Sequence, residues 1–203
     1  AGDSTINTIG SVQWDQSISG NYRITKTGTG AVALSNNLLL LRASNNIAGV
    51  TVLSGIVGYK NRNAFGTGTL ILGDGVVVGQ DGVINNFPSV GTNVNFGLGS
   101  DNAIGSGALI FTNNAGALVS TTSSLRAVPL TTVTPQVRTL TNDVVIDAGM
   151  NVVLDSISSV VVASNTNTVL INLTLAGNIS GAGSLTKSNN NTVTLSGNNT
   201  YTG

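Results

Sequence analysis

A right-handed parallel β-solenoid is the fold class this sequence predicts, and three observations predict it. Its apolar residues come in bursts of three to five, not at helical spacing. Between the bursts stand Gly, Asn, Asp and Ser, which turn a chain readily or tolerate left-handed backbone. Two phrases recur at fixed offsets, as they do where successive coils meet the same surroundings. Right-handedness is the default for a crossover between parallel strands.

In chain order, Arg23–Ser35 (RITKTGTGAVALS) alternates apolar and polar residues, the period of a half-buried strand. Asn37–Ala43 (NLLLLRA) is the most apolar burst and reads as a fully buried strand, with a protruding hydrophobic loop as the alternative. Short bursts follow at Thr69–Leu72, Val76–Val78, Ala108–Phe111, Val144–Ile146, Asn151–Leu154 and Val160–Val162. Each is long enough to cross a narrow interior once. Ser184–Ser196 (SLTKSNNNTVTLS) returns to alternation. Only three prolines and an excess of β-branched residues leave little room for helix, so the chain is nearly all β.

The repeats select a solenoid over a sandwich. Residues 18–37 recur at 179–198, an offset of 179 − 18 = 161, and nine of the 20 aligned positions are identical. A shorter echo links NAFGTGTL (63–70) to NAIGSGAL (102–109), offset 102 − 63 = 39, about two coils of roughly 20 residues. One domain, 1–203, of about ten coils would be a rod about 5 nm long at the 4.8 Å spacing of paired strands.

Composition narrows the function classes. Formal net charge is zero, from 8 Lys+Arg and 8 acids, all of them Asp. Charged residues make up 8% of the chain, against roughly a quarter in an ordinary globular protein. Nothing basic is concentrated enough to attract nucleic acid or anionic lipid. Without cysteine or histidine there is no disulfide framework, no thiolate metal site and no Ser-His or Cys-His nucleophile. No run of about 18 apolar residues exists to cross a membrane as a helix. The chain opens at Ala1 with no signal-peptide pattern, which reads as a mature or excised segment.

Few side chains are candidates for chemistry. Asp81 and Asp101, 20 apart, can stack on neighbouring coils as paired carboxylates, but each lies beside Gly or Asn, where Asp makes turns. Gly73–Gly82 (GDGVVVGQDG) matches neither a calcium nonapeptide nor an EF-hand, and its glycines read as corners. No cofactor, metal or catalytic residue is implied. Lys26 and Lys187, equivalent in the long repeat, read as exterior lysines that discourage sideways pairing, with binding of an acidic glycan as the alternative. Trp14, the only tryptophan, reads as a core or end-cap residue, with a sugar platform as the alternative.

One stretch is recognisable. Gly181–Gly203 (GAGSLTKSNNNTVTLSGNNTYTG) resembles the passenger-associated transport repeat of bacterial autotransporters. Gly181, Gly183, Leu185, Lys187, Val193, Leu195, Gly197, Asn199, Tyr201 and Gly203 fall on its pattern. Asn189 and Asn191 depart from it, where the family has glycines. The first copy keeps Gly20, Ile24, Lys26, Gly28, Gly30, Val32 and Leu34, but Tyr22 replaces the second glycine. Thr51–Leu72 and Val137–Ile146 also resemble phrases of such proteins. The resemblance implies a secreted right-handed β-helix, pushed through an outer-membrane translocator and displayed outside a bacterial cell.

The function expected is therefore structural: an extracellular or cell-surface filament or stalk, not an enzyme and not membrane-embedded. Its partner would be itself, head to tail, or flanking solenoid of the same chain. The expected stacking surfaces are Trp14, Ile18 and Ile24 at one end, and Val193, Leu195 and Tyr201 at the other. The first alternative is an adhesin binding host or matrix glycans through Trp14, Tyr22, Tyr59 or Phe65. A polysaccharide-active enzyme is the remote one, opposed by the sparse acids.

Overall fold

The computed structural model describes residues 2–8, 10–28, 38–53, 56–59, 63–73, 76–80, 94–98, 104–113, 121–127, 136–156, 159–162, 165–168 and 171–203. Among them are twenty strands and no helix. Sheet A holds β1 (Ser4–Asn7), β3 (Ser19–Thr27), β5 (Asn46–Val52), β7 (Thr69–Leu72), β10 (Leu109–Phe111), β13 (Val144–Ile146) and β18 (Ile179–Ser180) in that spatial order. Sheet B holds β2 (Ser11–Trp14), β4 (Leu38–Leu41), β6 (Ile56–Tyr59), β8 (Val77–Gln80), β9 (Val94–Leu98), β11 (Thr121–Ala127), β14 (Met150–Ser156) and β19 (Ser184–Lys187). Sheet C holds β12 (Gln136–Leu140), β17 (Ile171–Leu175) and β20 (Val193–Leu195). Every ladder in these three sheets is parallel. The exception is a separate antiparallel pair, β15 (Ser159–Val162) with β16 (Asn165–Thr168).

From β1 to β8 the chain visits sheets A and B in strict alternation; β9 then adds a second successive strand to B. Parallel strands cannot be joined by a tight hairpin, and from β1 to β8 each strand returns to its sheet by way of the other sheet. Register stacks like upon like. In sheet A, Ile24, Val50, Leu70, Leu109, Val144 and Ile179 form one buried column. A second runs Ile6, Lys26, Val52, Leu72, Phe111, Ile146. Between them lie the half-exposed Thr25, Thr51, Ile71, Ile110 and Val145, as a period of two requires. In sheet B the inward column runs from Val12 through Leu39, Val57 and Val78 and, past β9, through Leu125 and Leu154 to Lys187. One core cluster draws on all three parallel sheets. Each fully buried Leu, Ile, Val or Phe in it contributes about 1.5–3 kcal/mol.

The short repeat sits on adjacent strands of sheet A, not two coils apart: Leu70 pairs directly with Leu109. The 39-residue offset is one step in sheet A, while β8 and β9 occupy two places in sheet B. What repeats is a corner. Gly66 and Gly105 both have positive φ, 82° and 78°. A Cβ on Gly107 would lie 2.0 Å from the Gly68 carbonyl oxygen, so the two rungs touch backbone to backbone.

The long repeat begins alike and then diverges. Ile18 and Ile179 each donate a backbone N–H to an asparagine side chain on the neighbouring course, Asn45 and Asn199, both at 2.9 Å. Gly28 and Asn189 both take positive φ, 121° and 62°, so asparagine in the second copy adopts the kind of backbone that glycine adopts in the first. After Gly181, however, the chain turns through Gly183 into sheet B, whereas after Gly20 it continues along sheet A as β3. A Cβ at Gly183 would lie 2.2 Å from Ile146 Cγ2 and 2.6 Å from the Asp147 carbonyl oxygen, so this corner admits only glycine. Tyr22 occupies the matching place in the first copy, where the chain passes an irregularity in register between Gly20 and Arg23 and stays in sheet A. The equivalent lysines therefore end on different sheets.

Candidate functional site: the two ends of the sheets

The sheets end in two unlike surfaces. At the C-terminal end, β19 is the last strand of sheet B and β20 of sheet C. Residues 199–203 add a further course to sheet A: Thr200 N–H donates to the Ile179 carbonyl at 2.7 Å and Thr202 N–H to that of Gly181 at 3.0 Å. Tyr201 thereby stands over Gly181 and packs on the core. In sheet C the inward columns end at this surface on apolar side chains. Leu195 sits on Leu175 and is 38% exposed; Val193 sits on Leu173.

Lys187 closes the sheet B column over Leu154, and its ammonium folds back to donate to the carbonyl of Asn189 at 2.6 Å and of Ser188 at 3.5 Å. Asparagines continue the pattern. Asn45 links three courses, accepting from Ile18 N–H and donating through Nδ2 to the Ala64 carbonyl at 2.6 Å. Asn199 repeats the first bond, but its Nδ2 meets no acceptor among the described residues. A second ladder runs from Asp143, which accepts from Asn178 N–H, to Asn178, which accepts from Asn198 N–H, both at 2.8 Å.

At the N-terminal end, β1 and β2 flank an open-mouthed cavity of about 880 Å³. Trp14, Ile18, Tyr22 and Ile6 form its apolar wall, packed on one side against the core. Gln13 and Asp15 stand on its rim; Gln13 Nε2 donates to Asp15 Oδ2 at 2.6 Å, and Arg42 approaches Asp15 at 3.9 Å. Tyr22 lies across Gly20, its ring filling the space a Cβ there would need.

The predicted residues fall unevenly on these surfaces. Trp14 and Ile18 line the N-terminal mouth, and Val193, Leu195 and Tyr201 belong to the C-terminal end. Ile24 also lines the mouth, but it is 2% exposed and β1 pairs over it, so it is core first. Tyr59 and Phe65 are fully buried, edge to face with centroids 5.6 Å apart, and are withdrawn from any ligand. Leu39 and Leu41 of the most apolar burst are buried strand residues, so the protruding-loop alternative fails for them. Asn37, Asp81 and Asp101 lie outside the described residues.

Lys26 corrects the exterior reading. It is fully buried in an apolar column, with Nζ donating to the Thr27 carbonyl at 2.8 Å, and burial lowers its pKa from 10.5 to about 8. Lys187, its counterpart, is exposed. Sequence reasoning missed Lys26 although its parity with Ile24 places it on the inward face. It also missed Asn191, 2% exposed, whose side-chain oxygen and nitrogen have no hydrogen-bond partner among the described residues. The signal there was its departure from the glycine of the repeat pattern that Gly181–Gly203 resembles. Comparison with family models, with curated proteins and with solved structures finds no match to this chain.

Proposed function

We propose that this chain is a structural segment of a right-handed parallel β-solenoid, displayed outside a bacterial cell, whose ends take further strands. The strand alternation between sheets, the in-register columns and the default hand of parallel crossovers support the winding. The resemblance of Gly181–Gly203 to the autotransporter repeat supports the location. The observation that carries the role is the C-terminal surface: Lys187, Val193, Leu195 and Asn199 are placed as interior residues are, at the top of columns that continue below them. An edge built so is a template for more parallel strand. The strand comes from flanking solenoid or from a second copy docking head to tail, and contacts of that kind that do not close make filaments.

Electron microscopy of the 203-residue chain, dilute and then concentrated at neutral pH, tests this. Filaments with an axial repeat of about 4 nm, the height of eight or nine strand spacings, are expected if copies stack. Particles that stay single and rod-shaped, with no end-to-end chains at any concentration, would overturn self-stacking and leave flanking solenoid as the partner. Globular particles would overturn the solenoid itself.

A further inference from the structure

The N-terminal mouth supports an inference that goes beyond stacking. The two residues that depart from the sequence's own habits meet there. Trp14 is the chain's only tryptophan, and Tyr22 stands where the second copy of the repeat has Gly183. Both rings border the 880 Å³ cavity and both are partly buried, so each offers one fixed face. The volume lies within the range of pockets that enclose small organic ligands, and an aromatic wall with a few placed polar groups is their usual lining. Polar groups stand at one edge: the Gln13 amide and the Asp15 carboxylate, held together at 2.6 Å and steadied by Arg42.

We propose that this mouth binds one neutral pyranose unit of a glycan, its C–H face on Trp14 and Tyr22 and its hydroxyls on Gln13 and Asp15. A wholly apolar ligand would strip water from the Gln13–Asp15 pair and give no hydrogen bond in return. An anion would meet the Asp15 carboxylate. A cation would find one carboxylate already shared with Arg42. A sugar ring has an apolar face, an edge of hydroxyls that donate and accept, and no charge, and so fits each part of the lining. A second copy of the chain is the competing occupant, because head-to-tail stacking would cover the same mouth.

Trp14 fluorescence reports on this cavity alone, since no other tryptophan exists. The intact protein, kept dilute, is titrated with lactose, maltotriose and chitotriose as probes of differing hydroxyl arrangement. A saturable change in emission with at least one sugar is expected, weakened tenfold or more by Tyr22→Ala and by Asp15→Asn and retained by Tyr22→Phe. Thermal unfolding of Asp15→Asn, altered at a side chain 57% exposed, should match the parent, which separates lost binding from lost folding. No saturable change with any sugar, or binding indifferent to Tyr22→Ala, overturns the proposal. Emission that responds only to protein concentration, sugar being without effect, also overturns it and assigns the mouth to a second copy. That result leaves the stacking proposal standing, so the two fail separately.

Discussion

Lys26 is the residue at which side-chain chemistry and fold disagree most. Its ammonium lies in a column between Ile6 and Val52, fully buried, with its proton held to the Thr27 carbonyl. Burial depresses the pKa to about 8 from 10.5. Below about pH 8 the folded and unfolded chains both carry the proton, and the folded one bears the whole cost of desolvation, up to about 3 kcal/mol. Between pH 8 and 10.5 only the unfolded chain keeps it, so stability should rise across that window. Thermal melts should show Tm climbing from pH 8 to 10 in the parent. Lys26→Met should be more stable at pH 7 and show a flatter profile; a parent Tm that falls over this range would sink the account. Glycines make the opposite kind of prediction. Gly107→Ala sets a Cβ 2.0 Å from the Gly68 carbonyl oxygen and should cost about 1–3 kcal/mol, while Gly10→Ala, with open space around it, should lie within about 0.5 kcal/mol of the parent in urea melts.

At the scale of elements, the strands were legible and their sheets were not. Bursts such as Leu70–Leu72 and Val144–Ile146 announce themselves because inward and outward residues alternate on a pleat, and that parity is local. Which sheet a strand joins depends on the corner before it, and a corner is decided by contacts with the course below. Gly183 turns against Ile146 into sheet B while Tyr22 continues in sheet A, so two phrases sharing nine of 20 residues end in different sheets. The β15–β16 pair was half legible: Val160–Val162 reads as a strand, yet nothing local says its partner runs antiparallel. Trp14, Val193 and Tyr201 lie at the ends of the sheets, and what meets them there is a matter for electron microscopy. The mouth itself was not legible, because it is lined by residues of β1, β2 and β3 and the turn between them, which only the fold brings together. Gly183→Ala tests this view of corners. It should lower Tm by about 2–10 °C, from a cost of roughly 1–3 kcal/mol in a chain of this size. Tyr22→Ala should cost less, because Tyr22 borders a cavity and its loss leaves the strand paired. Equal costs at the two positions would remove the corner as the reason for the divergence.

At the scale of the whole molecule, what matters is how an end could accept another strand and what opposes it. Sheet B presents Leu185 and Lys187 inward on its last strand, above Val152 and Leu154. A strand laid on β19 would bury Lys187 as Lys26 is buried, and the back-bond to Asn189 already gives the ammonium the kind of partner Lys26 has in Thr27. That bond makes burial tolerable without making it free, because a desolvated ammonium costs more than an apolar residue in the same column. If copies stack as proposed, Lys187 would act as a brake on that stacking, in the way a lysine on any open edge does. Lys187→Met should release it. The monomer, whose Lys187 is exposed, should keep its Tm within about 2 °C, while the concentration at which filaments first appear by light scattering should fall about tenfold. Leu195→Lys should act in reverse, adding a brake where Leu195 now meets solvent at the top of sheet C. If Lys187→Met leaves the onset unchanged while Leu195→Lys raises it, the contact runs through sheet C and not through sheet B. If neither moves it, the C-terminal surface is not where copies meet.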